Sequence, residues 1–341
     1  MRLQRPGMTE YDLAVIVDAC EPWRRGHVDA VERALRSAAR ALVLVSSAHA
    51  ARSLRHPLSI AQRLQVVRAE CTRWGERVRA EPIGDRLYQP LHWQRALQDV
   101  LAAYAPGARH IVQLCPSHRA HAFLADWHAL AAPELDAPEF WTLRAALFSG
   151  NESDWQALLA QLTAPSAAFL DTYRRSPAWT EMRAEYDAVQ ATRASWRSAP
   201  YPPVLATADA LVLHDAHLLL IQRARAPGKG LWALPGGFVD PDETLLAACL
   251  RELDEETGLR PAAALASAAA PPAVFDAPRR SLRARIITHV FRFDLSPGPR
   301  PPVTGGDDAG AAEWVALSRF FAMEEQVFED HFYIVARMLG V

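Results

Sequence analysis

Cysteine is scarce in this sequence, and the few cysteines present are far apart. The chain has 341 residues and four cysteines, with no Cys-x-x-Cys pair among them; they are Cys20, Cys71, Cys115 and Cys249. This distribution argues against a disulfide scaffold and against a zinc site. It fits a reducing cytoplasm, which is the location that we expect.

Long apolar runs and an excess of charge are also missing. No segment approaches about 18 consecutive apolar residues, and the N-terminus has no signal-peptide core, so we expect no membrane association. The formal net charge is −2. The chain therefore has no overall field that would attract nucleic acid, and we expect no nucleic-acid partner. The sequence also has no internal repeat at solenoid periods.

The chain does have enough apolar sequence for two cores. Half of its 341 residues are hydrophobic (50%), and this length exceeds one comfortable core. Residues 198–203 read Ser-Ala-Pro-Tyr-Pro-Pro, which breaks helix and favours extended chain. Helical patterns precede this segment and strand-like alternation follows it, with a last helix predicted near residues 316–339. We therefore predict domains over residues 1–197 and 198–341.

The most informative segment is residues 237–259, which read GFVDPDETLLAACLRELDEETGL. They fit the pattern G-x5-E-x7-R-E-U-x-E-E-x-G-U, where U is apolar, without a gap. Apolar residues recur at helical spacing from Leu245 to Leu253, and Gly258 follows where a helix C-cap glycine would stand. The segment therefore predicts a turn followed by an amphipathic helix.

Three carboxylates on this helix predict a metal site. Glu252, Glu255 and Glu256 fall within an arc of about 100°. Carboxylates this close repel one another, and a hard divalent cation with oxygen ligands removes that conflict. We predict Mg²⁺, with Mn²⁺ as the alternative, bound by these glutamates and by the carbonyl of Gly236. A solvated acidic face is the other interpretation, but it does not explain the fixed glycines and Arg251.

The same segment contains the predicted catalytic residues. These are Arg251 and the three glutamates, and we expect Arg251 and Glu243 to brace the preceding loop against the helix. Bound metal ions polarise phosphoryl oxygens and supply hydroxide near neutral pH. The general base is left open between Glu256 and a group of acidic residues late in the chain, namely Asp307, Asp308 and Glu313.

Residues 237–259 resemble the signature of the Nudix hydrolases, which cut a nucleoside diphosphate linked to another group. The resemblance implies a mixed-sheet α/β/α sandwich for the C-terminal domain. Residues outside the signature must set the substrate. Arg280, Arg283 and Arg285 form a basic cluster that suits phosphate or ribose phosphate, with solvated surface arginines as the alternative.

Two later segments add to the resemblance. Residues 305–309 and 328–331 are similar to segments of ADP-ribose-cleaving Nudix proteins and of related regulators that have lost catalysis. Asp307 and Asp308 lie in the first segment and are candidate substrate contacts. ADP-ribose is the substrate that the resemblance implies, and it would be split to AMP and ribose 5-phosphate.

The N-terminal part has a different pattern. Residues 13–17 read as a buried strand, a helix is predicted from Gly26-His27 to about Arg40, and residues 41–45 read as a second strand. This β-turn-α-β order predicts a doubly wound parallel sheet. Ligands of such sheets bind at the carboxyl ends of strands, here around residues 18–27. The fold class is therefore α/β in both domains.

Residues 21–27, Glu-Pro-Trp-Arg-Arg-Gly-His, resemble the P-F-H-x-G-H motif of nicotinamide mononucleotide adenylyltransferases. Residues 55–63 resemble the arginine-rich segment of that family, and Asp85, Tyr88 and Trp93 match a spaced pattern of its bacterial and archaeal members. With the C-terminal signature, the resemblance covers nearly the whole chain. It points to the bifunctional nicotinamide mononucleotide adenylyltransferase/Nudix hydrolase (ADP-ribose pyrophosphatase) family. It implies a nucleotidyltransferase-like N-terminal domain with nucleotide contacts from His27, Arg55, Arg63 and Arg144.

The N-terminal motifs depart from the family pattern at four places. Arg24 replaces the first histidine, and Asp18-Ala19 replace a glycine-arginine pair. The other two departures are Cys115-Pro-Ser-His118 and Trp141-Thr-Leu-Arg144. We therefore expect impaired adenylyl transfer, with a degenerate domain serving as scaffold or nucleotide sensor.

Two alternatives remain open for the whole chain. One is a fully bifunctional enzyme that also forms NAD from nicotinamide mononucleotide and ATP, and the other is a non-catalytic sensor of ADP-ribose or NAD. The expected partner in each case is a small nucleotide. The sequence leaves the oligomeric state open, a homo-oligomer included.

Overall fold

The computed structural model describes residues 10–116, 123–124, 126–136, 140–260 and 271–341. The chain divides into two compact units, residues 1–183 and residues 184–341. A long helix, Pro177–Ser195, carries the chain across this division. The boundary between residues 197 and 198 stays a prediction. His118 lies outside the described residues.

Strands and helices alternate through most of the N-terminal unit. In chain order they are β1 (Tyr11–Asp18), α1 (Arg25–Ser37), β2 (Ala38–Val45), α2 (Ile60–Cys71), β3 (Val78–Pro82), α3 (Pro90–Tyr104), β4 (Ile111–Cys115), β5 (His128–Ala131), α4 (Phe140–Phe148), α5 (Glu152–Leu159), α6 (Ala164–Tyr173) and α7 (Pro177–Ser195). The five strands pair in parallel in the order β3-β2-β1-β4-β5. This is the predicted doubly wound parallel sheet, which is confirmed.

Helices cover both faces of this sheet because β1 is apolar on both sides. Ala14 and Ile16 face a cluster that includes Val31 of α1, whereas Leu13 and Val15 face a cluster that includes residues of α3. Successive strand residues point to opposite faces, so a continuous apolar run buries itself twice. The order of strands reverses at β1, which places the candidate ligand crevice at its carboxyl end, next to Asp18.

A mixed sheet forms the frame of the C-terminal unit. Its elements are β6 (Val204–His214), β7 (His217–Arg223), β8 (Trp232–Ala233), β9 (Gly236–Phe238), α8 (Leu245–Thr257), β10 (Ala273–Phe275), β11 (Arg285–Asp294), β12 (Ala309–Ala316), α9 (Leu317–Phe320) and α10 (His331–Leu339). The main path is β10-β11-β6-β7-β12, with β8 paired to β7 and β9 paired to β6. β6 and β11 are parallel over ten residue pairs, from Arg285↔Val204 to Asp294↔Leu213.

The sequence predicts one helix near residues 316–339, and this prediction is wrong for the middle of that range. The chain forms α9, a short 3-10 segment at residues 324–326 and then α10. Phe328 N–H instead donates to the Trp232 carbonyl at 2.8 Å, and Glu329 takes a left-handed φ of 45°. A helix cannot continue through such a residue, so pairing with β8 overrides the helical pattern.

Within the described residues, no helix is both long and apolar enough to cross a membrane.

Candidate active site

Helix α8 is placed by its caps and by its apolar face. The Thr244 hydroxyl accepts a hydrogen bond from Ala247 N at 3.2 Å, and Gly258 closes the helix in the left-handed conformation with φ 68°. Cys249 and Leu253 are fully buried in a cluster with Ala208 and Ala210 of β6. The acidic residues of α8 therefore occur on a helix whose position is fixed by packing.

Arg251 connects the glutamates of α8 to the loop before the helix. Its Nη1 donates to Glu252 Oε1 at 2.9 Å and to Glu255 Oε2 at 3.0 Å. Its Nη2 donates to Glu243 Oε1 at 2.7 Å and to the Phe238 carbonyl at 3.1 Å. The bracing contact between Arg251 and Glu243 that the sequence predicts is therefore present. Two carboxylates of the predicted metal site already converge on one cationic nitrogen.

Glu256 faces the loop from a buried position. Its side chain accepts a hydrogen bond from Gly236 N at 2.9 Å, and the residue is only 6% exposed. Burial raises the pKa of Glu256 to about 8, and the charges of Glu252 and Asp209 add to the increase although the Gly236 N–H opposes it. Burial also raises the pKa of Glu252. Both pKa shifts arise because the carboxyl groups are buried close to one another. A bound cation would offset the resulting cost of ionising them.

Two glycines allow the loop to approach the carboxylates. Gly236 has φ +153°, and a Cβ atom there would lie 2.5 Å from the Ala208 carbonyl oxygen and 2.3 Å from Asp209 Oδ1. A Cβ atom on Gly237 would lie 2.3 Å from Glu252 Oε1. Both glycines are thus steric requirements, because a side chain at residue 237 would displace Glu252 and one at residue 236 would clash with β6.

Asp209 belongs to this neighbourhood and was missed by the sequence reasoning. It lies on β6 directly opposite Gly236 of β9, it is 5% exposed, and the Thr288 hydroxyl donates to its Oδ2. Burial raises its pKa to about 6. An acid within the apolar run of β6, residues 204–214, was the available signal.

The late acidic residues separate into three environments. Asp307 has a left-handed φ of 48°, and its charge raises the pKa of Glu252, which places it on the α8 side. Asp308 Oδ1 pairs with Arg225 Nη1 at 2.8 Å. Glu313 of β12 pairs through Oε1 with Arg319 Nη1 of α9 at 2.6 Å. The loop itself is tied to the end of α8 by Gly306 N–H, which donates to the Glu256 carbonyl at 3.2 Å. Of the three, Asp307 is the one coupled to the glutamates.

The three arginines of the predicted basic cluster have different carboxylate partners. Arg280 forms a buried bidentate salt bridge with Asp330, with Nη2 to Oδ1 at 2.8 Å and Nε to Oδ2 at 3.0 Å. Arg285 Nη2 lies 3.9 Å from Asp276 Oδ2. Arg283 Nη2 lies 3.6 Å from Glu329 Oε2. The roles of these three arginines in substrate binding stay predictions. Arg283 differs from Arg280 and Arg285 in lying beside the aromatic residues described next.

Arg223, Phe238 and Phe328 accompany Arg283, and of these the sequence reasoning missed Arg223. The Arg223 guanidinium lies 4.2 Å from the ring centroid of Phe328. Arg283 lies 5.7 Å from the same centroid and 5.5 Å from that of Phe238. Burial lowers the pKa of Arg223, with the nearby charge of Arg283 acting in the same direction. The available signal was a cationic residue at the end of the buried run 218–222.

In the N-terminal unit, His27 is tied into the start of α1. Its Nδ1 accepts a hydrogen bond from Arg24 N at 2.9 Å, and its Nε2 lies 3.3 Å from Asp18 Oδ1. Burial would raise the pKa of Asp18, but the hydrogen bond and charge of His27 outweigh it and hold that pKa below its ordinary value. Arg24 donates through its side chain to the carbonyls of Leu135 and Asp136, each at 3.1 Å.

A buried carboxylate gathers the other predicted cations. Glu21 lies 3.0 Å from Arg63 Nε, 3.6 Å from Arg144 Nη2 and 3.4 Å from His56 Nδ1. The side chain of Glu21 is 3% exposed. Arg144 Nη2 also donates to the carbonyl of Arg55 at 2.8 Å. Arg63 and Arg144, which the resemblance implies as nucleotide contacts, therefore already have partners inside the protein.

One group of three potential metal ligands lies within 4.8 Å of one another in the described ranges: Asp18, Cys20 and His27. Both ring nitrogens of His27 already have hydrogen-bond partners, so a metal there would have to displace one of them. Among the described residues the glutamates of α8 do not form a second such group; Glu252 and Glu255 instead share the Nη1 of Arg251.

Comparisons with known proteins identify the family of the C-terminal part of the chain. Residues 204–338 match the family model of the NUDIX domain. The sequence is 36% identical over 126 residues to the ADP-ribose pyrophosphatase of Methanocaldococcus jannaschii, covering 36% of this chain and 70% of that protein. It is 39% identical over 84 residues to the ADPR responsive transcriptional repressor NtrR of Acinetobacter baylyi, covering 34% of that protein.

A solved structure is similar over nearly the full length. It is a bifunctional NMN adenylyltransferase/ADP ribose pyrophosphatase from Francisella tularensis, complexed with AMP and a manganese ion. The TM-score is 0.87 at 28% identity, and the match covers 97% of this chain and 99% of that chain.

Proposed function

Because the chain belongs to the Nudix hydrolases, in the family that joins such a domain to a nicotinamide mononucleotide adenylyltransferase-like domain, we propose that it cleaves the diphosphate of ADP-ribose with the help of Mg²⁺. The products are AMP and ribose 5-phosphate. The observation that carries this proposal is the carboxylate cluster on α8, in which Glu252 and Glu256 lie against Gly237 and Gly236 and Glu255 shares Arg251 with Glu252. The names of the Methanocaldococcus and Francisella proteins support ADP-ribose as the substrate.

The residues of α8 fit a divalent cation. Glu252 and Glu255 converge on the Nη1 of Arg251, and Glu256 is held close by Gly236 N–H. All potential ligands here are oxygen atoms, which Mg²⁺ and Mn²⁺ both accept. When bound, the ion supplies polarisation of the phosphoryl oxygens and a more acidic water. The Gly236 carbonyl completes the proposed ligand set.

The protein's own residues then divide the remaining work. Arg251 holds Glu252, Glu255 and the loop carboxylate Glu243 in one arrangement, which keeps the ligands oriented. Asp307 accepts the proton of the attacking water as general base, because it is exposed and coupled to Glu252. Water attacks one phosphorus, the bond from that phosphorus to the bridging oxygen breaks, and the other phosphate leaves with that oxygen.

A panel of diphosphates tests the substrate. We expect ADP-ribose to be cleaved with a higher kcat/KM than NAD, NADH, diadenosine polyphosphates or sugar nucleotides. Equal or better turnover of another member would replace ADP-ribose in the proposal. Tight ADP-ribose binding without any turnover would favour the non-catalytic sensor, a role to which the similarity with the ADPR responsive repressor also points.

We further propose that adenylyl transfer by the N-terminal unit is impaired. The supporting observation is that the polar side chains already have internal partners: Asp18 contacts His27, and the buried Glu21 pairs with Arg63 and Arg144. A triphosphate would have to compete with carboxylates already in place and would be repelled by them. We expect no NAD from nicotinamide mononucleotide and ATP at high enzyme concentration. NAD formation at a rate comparable to ADP-ribose cleavage would establish the bifunctional alternative.

The proposed location is the cytoplasm. All four cysteines are free and buried, which suits a reducing compartment.

A further inference from the structure

Arg223 makes no ion pair with any described residue of the C-terminal unit, although the charges of Glu329, Glu256 and Glu185 act on it from a distance. Its Nε donates to the Pro227 carbonyl at 2.8 Å, but no carboxylate of the described chain forms an ion pair with it. Arg280 and Arg251, by contrast, each make close carboxylate pairs. A half-buried guanidinium without such a partner is costly unless it meets an anion in the working protein.

The surrounding loop fixes the direction of this side chain. Arg223 N–H donates to the Leu231 carbonyl at 2.9 Å, and its own carbonyl accepts from Gly230 N at 2.8 Å. The carboxylate of Glu185 accepts from Gly228 N at 2.8 Å and 3.0 Å, which holds the loop that presents the Pro227 carbonyl. With Nε engaged and one guanidinium face on Phe328, the Nη atoms are left to bind a ligand.

A second cation stands beside it. Arg283 shares the Phe328 ring, and the two like charges disfavour each other. Glu329 is the carboxylate near them, 3.6 Å from Arg283, and its φ of 45° is a strained conformation for a residue other than glycine. The charge of Glu256 also acts on Arg223, so the cationic pair and the carboxylate helix belong to one electrostatic neighbourhood.

We propose that Arg223 binds the non-bridging oxygens of the substrate diphosphate, with Arg283 as the second cation of the same clamp. This inference rests on the proposed function, because the anion is taken to be the diphosphate that is cleaved. Guanidinium groups bind phosphate through two parallel hydrogen bonds, and the ring of Phe328 shields one face of the Arg223 guanidinium from solvent. Arg223 is thus assigned to substrate binding and the glutamates to the metal.

Three variants separate this role from simple packing on Phe328. Arg223→Met keeps the apolar stem, Arg223→Lys keeps the charge, and Arg223→Gln keeps neither. A hydrogen bond to a charged group contributes about 1.5–3 kcal/mol, so we expect Arg223→Gln to lower kcat/KM for ADP-ribose about 10- to 100-fold. We expect Lys to retain more activity than Met. Activity of Met equal to or above that of Lys would show a packing role and overturn the assignment.

A matched control and a binding measurement keep the test independent of turnover. Arg260→Gln removes an arginine whose side chain is 81% exposed and paired with Asp254, and it should leave kcat/KM unchanged. Calorimetric titration of ADP-ribose in EDTA should show weaker binding by Arg223→Gln than by the wild type. Equal titrations, including two that show no binding, would overturn the inference. Absence of AMP release by the wild type, with this difference in binding intact, would instead remove the proposed function alone.

Discussion

At the scale of single residues, Glu256 links the metal site to pH. Its pKa of about 8 means that near pH 7 the carboxyl group carries a proton in the metal-free protein. A metal ligand must be ionised, so Mg²⁺ binding near pH 7 should release about one proton. Calorimetry in two buffers of different ionisation enthalpy measures this release. Glu256→Gln should release none, and identical heats in both buffers for the wild type would contradict the assignment.

The same shift has a consequence for stability. The folded-state pKa of Glu256 lies above its ordinary value of 4.5, so folding takes up a proton between these values. The contribution of this group to stability is fully present below about pH 4.5 and is lost as the pH rises through about 8. Asp209 has the same sign, with a pKa raised to about 6.

The general base is tested by three parallel substitutions. Asp307→Asn should lower kcat by about 10²- to 10⁴-fold, the range that a positioned general base contributes. Asp308→Asn and Glu313→Gln should leave kcat nearly unchanged, because these groups are paired with Arg225 and Arg319. Steady-state kinetics with ADP-ribose measures all three. An unaffected Asp307→Asn enzyme would transfer the role to Glu256.

Residue-scale prediction from the sequence succeeded where spacing along one helix determines geometry. The three glutamates and Gly258 follow from the helical period alone, and Arg251 meets Glu243 as expected. Asp209 and Arg223 could not be predicted this way, because their proximity to α8 depends on strand pairing between distant segments. A residue's neighbours across a sheet are not encoded in its local pattern.

At the scale of elements, β9 approaches α8 so closely that only glycine fits at residue 237. A Cβ atom on Gly237 would lie 2.3 Å from Glu252 Oε1, so Gly237→Ala should displace that carboxylate and lower kcat/KM for ADP-ribose at least about tenfold. Gly310→Ala on β12 is the matched control, since its nearest new contact would be 3.6 Å. Equal activity of the two variants would show that the close approach is unimportant.

Element prediction was weakest near the C-terminus. The sequence predicts one helix near residues 316–339, but it is interrupted where Phe328 N–H donates to the Trp232 carbonyl and Glu329 takes a left-handed φ. The interruption carries Phe328 to the guanidinium groups of Arg223 and Arg283. The departure from the sequence pattern thus coincides with the proposed clamp, as expected when a functional site overrides local preference.

At the scale of the whole molecule, loss of the buried Glu21 cluster should destabilise the N-terminal unit without affecting catalysis by the C-terminal unit. Glu21→Gln removes the carboxylate shared by two buried arginines, which should cost about 3–5 kcal/mol of stability and lower the first thermal transition. We expect ADP-ribose cleavage by the folded variant to be unchanged. Glu152→Gln, which breaks an exposed pair with Arg174, should cost only about 0–1 kcal/mol. Thermal unfolding of both variants measures the difference, and equal shifts would contradict the buried-cluster account.

The central claim is that the carboxylate helix of the C-terminal unit hydrolyses ADP-ribose. The most direct measurement is chromatographic release of AMP and ribose 5-phosphate from ADP-ribose by the full chain with Mg²⁺, with Glu255→Gln measured in parallel. We predict equal amounts of the two products from the wild type and a rate at least about a hundredfold lower from Glu255→Gln. No AMP from the wild type, or an undiminished rate from Glu255→Gln, would contradict the claim.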